Sequence, residues 1–196
     1  MKSFILLLLF LYPLQMHSQE TKTKFWHIDR AYGETGIISG YYYLYRWIYK
    51  TQDNNARWQD LSSGIYTAWV MGNSKFQAKA RFSTSGGGPI EASYTNISLL
   101  AGPVCHFRHA AMELAIGLGY QEYELESYRV QYGPPVKTIG FAFEAGMQLI
   151  PVPFFGMAPF LHGNITARTF NIGAGCKIMF GKVGYTKKEY SSLKHS

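Results

Sequence analysis

Hydrophobic and polar residues alternate along several long stretches of this chain. In residues 138–152, TIGFAFEAGMQLIPV, one set of positions reads Ile, Phe, Phe, Ala, Met, Leu and the other Thr, Gly, Ala, Glu, Gly, Gln. The same alternation recurs in HAAMELAIGLGYQ (109–121), TFNIGAGCKIMFG (169–181) and KFQAKARFS (75–83). A period of two places successive side chains on opposite faces of a β-strand. The pattern therefore predicts long β-strands with two unlike faces.

Turn-forming residues separate these stretches in a regular order. Polar or glycine- and proline-bearing connections occupy 51–63, 83–89, 123–137 and 164–168, and tighter ones occupy 72–75, 105–109 and 151–155. Long and short connections alternate, which predicts eight strands. We place the strands near 36–50, 63–71, 76–84, 90–104, 110–123, 137–150, 154–165 and 168–181. The stretch 25–33 is either a further short strand or a lead-in segment.

The chemistry of the two faces indicates which one contacts water. A soluble, lipocalin-like barrel would keep its apolar set inside and show water a face rich in Lys, Glu, Asp and Ser. Here the second set is rich in Gly and Ala, with a few isolated charges. Small residues with sparse charges suit the crowded interior of a narrow barrel, and the larger apolar set then faces lipid. We therefore predict an all-β fold, a closed antiparallel up-and-down transmembrane β-barrel of about eight strands.

Composition supports a membrane barrel. The chain is 47% hydrophobic and 16% aromatic but only 16% charged, against about 25% charged in typical soluble domains. Beyond the N-terminus no apolar run approaches the roughly twenty residues that a membrane-spanning helix needs. A helical membrane protein is therefore excluded. Nucleic-acid binding is not expected either, because the basic residues form no stripe in an exported chain.

The N-terminus predicts export. Lys2 precedes a short apolar run, Pro13 interrupts it, and small or polar residues follow up to Ser18 and Gln19, which is the arrangement of a secretory signal peptide. Removing Lys2 with this peptide would lower the formal charge from +7 to +6. We divide the chain into a cleaved signal peptide (1–18), a periplasmic lead-in segment (19–35), the barrel (36–181) and a basic periplasmic tail (182–196). The tail is expected to be solvated, with contact to phosphate headgroups or to an acidic periplasmic partner as the alternative.

Aromatic residues concentrate where strands should meet the membrane surface. Tyr and Trp prefer the headgroup level, where an apolar ring and a hydrogen-bonding tip are both accommodated. The predicted aromatic girdle consists of Tyr41, Tyr43, Tyr45, Trp47, Tyr49 and Tyr120.

The inward set carries charges of both signs. The predicted polar network of the lumen consists of Arg46, Lys79, Arg81, Glu113, Glu144 and Lys177. Glu113 and Glu144 fall on neighbouring strands and would repel each other, so Lys or Arg from other strands should reach between them. We interpret this network as a structural one that plugs the lumen, and the alternative is a path for protons or ions.

Two hairpins give the chain a family resemblance. SLLAGPVCHFRHAAMELAIGLGY (98–120) and FFGMAPFLHGNITARTFNIGAGCKIMFGK (154–182) resemble hairpins of the small eight-stranded outer-membrane β-barrel proteins of Gram-negative bacteria, the group of the OmpA transmembrane domain and OmpX, including uncharacterised barrels of Bacteroidetes type. The resemblance implies location in the outer membrane of a Gram-negative bacterium, and a monomer without a cofactor. It also implies contact with outer-membrane lipids and lipopolysaccharide, and recognition of the last strand, ending at Phe180, by the barrel-assembly machinery.

No catalytic motif is present. Some barrels that resemble this one modify lipids, which requires a nucleophile with His and an acid. His162 is a weak alternative catalytic residue, with Ser98 or Ser127 and Glu122 or Glu124 as potential partners, but no GxSxG elbow accompanies it. We therefore predict no catalytic residues.

The cysteines and the remaining histidines suggest no metal site. Cys105 and Cys176 are either apolar strand residues or, in an exported chain, a permitted disulfide, and no Cys/His cluster has metal-ligand spacing. His106 and His109 fall in a predicted periplasmic turn, where solvated side chains are expected.

The expected role is structural, or adhesive binding at the surface through the extracellular loops, because recognition residues concentrate in loops on a rigid scaffold. The ligand is not evident from the sequence. The alternatives are a lipid-modifying outer-membrane enzyme and a soluble exported barrel that binds an apolar ligand.

Overall fold

The computed structural model describes residues 28–44, 59–87, 91–107, 109–127, 130–131, 135–186 and 189–191. The predicted signal peptide lies outside these residues. The strands are β1 (Arg30–Leu44), β2 (Gln59–Gly72), β3 (Phe76–Gly87), β4 (Glu91–His106), β5 (Ala110–Ser127), β6 (Val130–Gln131), β7 (Val136–Val152), β8 (Phe155–Thr166) and β9 (Thr169–Gly181). None of the described helical residues belongs to a helix long and apolar enough to cross a membrane.

The described strands form one closed antiparallel sheet. Each long strand pairs with its neighbours in sequence, β4 also pairs with β5, and β9 pairs back to β1. β6 adds only two residues beside the far end of β5. The barrel therefore has eight strands, β1 to β5 and β7 to β9, as the alternating pattern predicts. Closure leaves no open sheet edge, which is a requirement for a sheet in lipid.

Pairing around the barrel defines its stagger. Direct partners followed strand by strand from Gly33 return to β1 at Tyr43, ten residues further along the strand. A stagger of this size in eight strands tilts them by about 40° from the barrel axis. Side chains that follow one another along a row of partners therefore lie at different heights along the barrel axis. These heights determine which side chains can contact each other across the lumen.

Inward glycines allow the sheet to bend this tightly. A Cβ on Gly117 would lie 1.9 Å from the carbonyl oxygen of Leu99, and a Cβ on Gly36 would lie 2.1 Å from that of Cys176. Any side chain at these positions would push neighbouring strands apart. The glycines of the inner face thus allow the sheet to curve, and they also leave room in the lumen for larger side chains.

The two ends of the barrel differ. At the lower end, which we define by the short turns 73–75, 107–109 and 153–154, β1 begins and β9 ends. In the first turn the side-chain oxygen of Asn73 accepts hydrogen bonds from the backbone N–H groups of Lys75 and Phe76, both at 2.9 Å. The upper end carries the remaining connections, including the chain between β1 and β2.

Several predicted boundaries are wrong at the upper end and at the start of the barrel. β1 begins at Arg30 instead of 36, so residues 30–35 of the predicted lead-in segment belong to the barrel. β2 begins at Gln59 instead of 63, and the connection predicted over 164–168 is only the two-residue turn 167–168. This turn is tight because Thr166 Oγ1 accepts from the N–H groups of Arg168 and Thr169. At their upper ends the strands continue into segments where both faces are polar, and there the sequence shows no contrast between the two faces.

Candidate functional site

Charged side chains from five strands meet inside the barrel. Their residues are Glu34 on β1, Lys79 and Arg81 on β3, Glu113 on β5, Glu144 on β7 and Lys177 on β9. All six are buried, and the three acids balance the three bases. We call this set the charged cluster.

Two lysines hold the carboxylates together. Lys177 Nζ lies 2.5 Å from Glu113 Oε1, 2.7 Å from Glu144 Oε1 and 3.0 Å from Glu34 Oε1. Lys79 Nζ lies 2.5 Å from Glu144 Oε1, 3.1 Å from Glu34 Oε2 and 3.4 Å from Glu113 Oε2. Each ammonium therefore neutralises carboxylates from three different strands, and the repulsion between Glu113 and Glu144 is offset as the sequence suggested.

Neutral side chains complete the hydrogen bonding of the carboxylates. The amides of Gln77 and Gln148 donate to Glu113 Oε2 at 2.6 and 2.9 Å. The hydroxyl of Tyr66 lies 2.5 Å from Glu34 Oε2 and 3.1 Å from Glu144 Oε2. Buried charges are tolerated when they are both paired and hydrogen-bonded. Each carboxylate of the charged cluster is paired with a lysine and accepts at least one hydrogen bond, whereas Glu34 Oε1 and Arg81 Nε have no hydrogen-bond partner among the described residues.

Above the charged cluster the described interior side chains are polar but uncharged. Arg81 forms the boundary: its Nη1 lies 3.5 Å from Glu144 Oε2, while its Nη2 donates to Ser98 Oγ and Asn164 Oδ1 at 3.0 and 3.2 Å. Beyond it, the Tyr42 and Tyr94 rings lie 4.3 Å apart between centroids. Further buried amide and hydroxyl side chains of this layer are Ser62, Ser83, Ser85, Asn96, Gln121, Thr166, Thr169 and Asn171.

Below the charged cluster an apolar layer lines the lumen, and the chain itself closes the lower mouth. The lower cluster consists of Tyr32, Val70, Val104, Ala111, Ile150, Ala158, Met179 and Val183. Val183 follows β9 and is fully buried. We call residues 182–186 the strap.

Backbone hydrogen bonds fix the strap across the lower mouth. Lys182 N–H donates to Ala31 O at 2.9 Å, and the N–H groups of Val183 and Gly184 both donate to Pro153 O at 2.9 Å. Gly181 has φ of 122°, a left-handed value that glycine adopts without strain, and it turns the chain into the mouth. This part of the tail is packed, so a wholly solvated tail from 182 onward is wrong. The final residues of the predicted tail lie outside the described ones.

The end of the strap has two perturbed groups. Burial, together with the hydrogen bond from Tyr185 to Asp29 Oδ1 at 2.8 Å, raises the pKa of the Tyr185 hydroxyl above its usual value. The backbone N–H of Thr186 donates to Glu189 at 2.8 Å and lowers the pKa of that carboxyl. Glu189 N–H donates back to Thr186 Oγ1, so the two residues form a capping box at a helical turn.

The structure brings five of the six predicted lumen residues together in the charged cluster; Arg46 lies outside the described residues. Glu34 was missed because residue 34 fell in the predicted lead-in segment. A signal was present: Tyr32, Glu34, Gly36 and Ile38 continue the inward alternation of β1. Gln77, Gln148 and Tyr66 were missed because their partners depend on strand register.

His162 lies inside the barrel and is buried. Its ring centroid is 5.9 Å from that of Phe160. Ser98 also lies inside, but Glu122 lies on the outer face of β5, where it accepts from Tyr120 at 3.3 Å. The suggested combination of His162 with Ser98 and Glu122 is therefore not assembled. Within the described ranges, no group of three or more His, Cys, Asp or Glu side chains could hold a metal ion.

The exterior is apolar. Leu99, Ile139 and Leu118 are 70%, 68% and 66% exposed and point away from the axis. Cys105 and Cys176 are free thiols on this outer surface, so the permitted disulfide is absent. An outer surface of this kind needs lipid around it, which contradicts the soluble alternative.

The predicted aromatic girdle is only partly described. Tyr41 is exposed on the upper part of β1, and Tyr120 is half-buried on the outer face of β5. Tyr43 lies in β1, but its side chain is outside the described ones. Tyr45, Trp47 and Tyr49 lie outside the described residues.

Solved structures share this architecture. Ail, the attachment invasion locus protein of Yersinia pestis, is 15% identical, with 77% of this chain and 98% of that chain covered and a TM-score of 0.53. Neisserial surface protein A is 8% identical, with 78% and 98% covered and a TM-score of 0.57. The N-terminal β-barrel domain of OprF from Pseudomonas aeruginosa is 12% identical, with 79% and 100% covered and a TM-score of 0.50.

Sequence comparisons add no closer relative. No family model matches the chain. No curated protein matches it at a significant level. Because the identities to the solved structures are low, these structures establish the architecture alone. The chain has the fold of the small eight-stranded outer-membrane β-barrels of Gram-negative bacteria, with an exterior suited to a lipid bilayer.

Proposed function

We propose that this chain works in the outer membrane of a Gram-negative bacterium as a closed barrel, with a structural and surface-binding role and no open pore. The observation that carries the proposal is the charged cluster, in which Lys79 and Lys177 each bridge the same three carboxylates across the lumen. An ion entering the barrel would have to break several of these contacts at once. The strap adds a second closure at the lower mouth.

The proposed orientation follows from the connections. Outer-membrane barrels have short periplasmic turns and longer extracellular loops. The lower end, where all three connections are short and where β1 begins and β9 ends, would then face the periplasm. The upper end would face the cell surface and carry the chain between β1 and β2, residues 45–58, and that between β5 and β7, residues 128–135.

The proposed partners follow from this placement. Lipids would cover the apolar exterior, and lipopolysaccharide would contact the upper rim, where Lys137 is exposed and lies 3.3 Å from Glu122. The barrel-assembly machinery would insert the chain, and the closed sheet would act as a monomer. A surface-binding role has support from one neighbour by fold: Ail is an attachment invasion protein, solved also with the heparin analogue sucrose octasulfate.

Conductance in planar lipid bilayers tests the closed lumen. The wild-type barrel should insert without steady ion steps. A variant that combines Lys79→Ala and Glu144→Ala with truncation after Gly181 keeps the net charge of the charged cluster constant, removes the ion pairs of both side chains and removes the strap, and it should conduct measurably. Folding of both proteins is verified by the gel shift between unboiled and boiled samples. Steady conductance of the wild type at neutral pH would contradict the proposed closure.

A binding assay tests the surface role. The purified barrel in lipid nanodiscs is titrated onto immobilised heparin, and a variant carries a Gly/Ser segment of equal length in place of residues 51–57. We expect saturable binding that is lost in this variant. The matched control replaces residues 132–134 in the same way. Absence of saturable binding of the wild-type barrel to heparin would contradict this surface role and leave a structural one.

A further inference from the structure

Arg30 at the lower mouth is a buried cation for which the described residues supply no counter-charge. Its side chain is 1% exposed and its Nη1 donates to Val183 O at 3.0 Å. Its Nε and Nη2 have no hydrogen-bond partner among the described residues. No described carboxylate lies within ion-pair distance of it, in contrast to Lys79, Arg81 and Lys177 in the charged cluster.

The two unused donors share one edge of the guanidinium. Nε–H and one Nη2–H are parallel in the planar group, and this fork matches two oxygens of a carboxylate or phosphate. Nη1, on the opposite side, is already engaged by the strap. The strap therefore holds the guanidinium in a fixed position. The edge that binds anions in a bidentate manner makes no hydrogen bond to the described residues.

The surroundings offer no substitute for an anion. The Arg30 guanidinium carbon lies 5.7 Å from the centroid of the Tyr32 ring and 5.9 Å from that of Tyr185. The carboxylate of Asp29 accepts a hydrogen bond from the Tyr185 hydroxyl at 2.8 Å and forms no ion pair with Arg30. Aromatic faces stabilise a cation only weakly compared with the cost of burying it unpaired.

A second unused donor or acceptor lies against the same tyrosine. The His106 ring packs edge-on against Tyr185 with centroids 5.2 Å apart. Its Nε2 is buried and has no partner among the described residues. Arg30 and His106 thus contact the same aromatic ring, and both retain unsatisfied polar atoms.

We propose that the Arg30 fork binds a tetrahedral oxyanion of the phosphate class beneath the strap, with His106 Nε2 as a second polar contact. The anion would supply the missing counter-charge at the lower mouth. Tyr185, whose ring centroid lies 5.9 Å from the Arg30 guanidinium carbon, is half-buried. Free phosphate and the phosphate headgroup of a phospholipid share the required chemistry.

Phosphate titration of the complete, refolded chain in nonionic detergent tests the site. Inorganic phosphate should bind saturably by calorimetry and raise the urea midpoint of unfolding. Arg30→Gln should weaken binding by about tenfold or more, and Arg30→Lys should weaken it less, because it keeps the charge but loses the fork. Arg168→Gln, at an exposed arginine in the upper turn, is the matched control and should leave phosphate binding unchanged.

Two arms distinguish the source of the phosphate group. The first uses inorganic phosphate. The second uses vesicles of phosphatidylglycerol or phosphatidylcholine in a buffer that contains no phosphate. Binding of inorganic phosphate supports a free ion, and an Arg30-dependent stabilisation by lipid alone supports a headgroup. Should Arg30→Gln not fold, His106→Gln and calorimetry on the wild type decide instead. Absence of saturable binding to wild type in both arms overturns the proposal, as does binding that Arg30→Gln leaves unchanged.

Discussion

At the scale of single residues, charge placement inside the barrel follows rules that the sequence partly reveals. The inward alternation identifies Lys79, Arg81, Glu113, Glu144 and Lys177, because a charge on that set must lie in the lumen. The sequence does not reveal which acid meets which base. That pairing depends on the ten-residue stagger, which brings Glu34 of β1 beside Lys177 of β9 and Lys79 of β3.

Glu144→Gln should destabilise the barrel strongly. Glu144 contacts Lys79, Lys177 and Arg81, and its neutralisation leaves an excess of buried positive charge. Breaking a buried ionic network by removing one partner costs about 3–5 kcal/mol. Equilibrium urea unfolding of the barrel in lipid vesicles measures the change.

Glu122→Gln is the matched control for this substitution. Glu122 pairs with Lys137 on the outer surface, where the lysine is largely exposed and water screens the interaction. Its unfolding midpoint should stay close to that of the wild type. Equal destabilisation by the two substitutions would contradict a special role of the buried cluster.

At the scale of the strand, hydrophobic alternation predicts the part of each element that lies in lipid. β7 illustrates this: the pattern predicts 137–150 and the strand spans Val136–Val152. β1 and β2 were predicted less well, because their ends carry hydroxyl and glycine residues that give no contrast between faces. Backbone pairing continues there without any need for an apolar face.

A charge on the lipid face should be costly in the middle of a strand and tolerated near its upper end. Leu99 lies near the centre of β4 and is 70% exposed, so Leu99→Arg should destabilise the barrel by about 2–4 kcal/mol. Ser93 lies on the same face toward the upper end, and Ser93→Arg should change stability little. Unfolding in lipid vesicles measures both, and similar values for the two would contradict the orientation of β4.

At the scale of the whole molecule, the sequence predicts that the sheet closes into a barrel. It does not predict the register in which the first and last strands pair. Eight strands and an apolar exterior follow from alternation and turn signals. The stagger, and the strap over the lower mouth, depend on which residues pair across the β1–β9 seam. No local pattern encodes that seam, because its two strands are the most distant in sequence.

A disulfide across the seam tests closure and register together. Ile37 pairs directly with Cys176, and direct partners have Cα atoms about 4.5–5.5 Å apart, within the range of a disulfide. Ile37→Cys in a Cys105→Ser background should therefore oxidise efficiently with copper phenanthroline, as measured by thiol labelling and mass spectrometry.

Thr35→Cys in the same background provides the comparison. Thr35 pairs with Ile178, so its position relative to Cys176 is diagonal, at a Cα separation of about 7–8 Å that a disulfide does not span without backbone movement. Efficient oxidation of Thr35→Cys, or none of Ile37→Cys, would show that the seam has another register.

The strap also sets an order of events during maturation. It donates to Ala31 at the start of β1 and to Pro153 in the β7–β8 turn, and Tyr185 reaches Asp29, so its acceptors come together only after the first and last strands have met. We therefore expect residues 182–186 to report on completed assembly: a protease should cleave after Lys182 in an unfinished barrel and should not do so in a finished one.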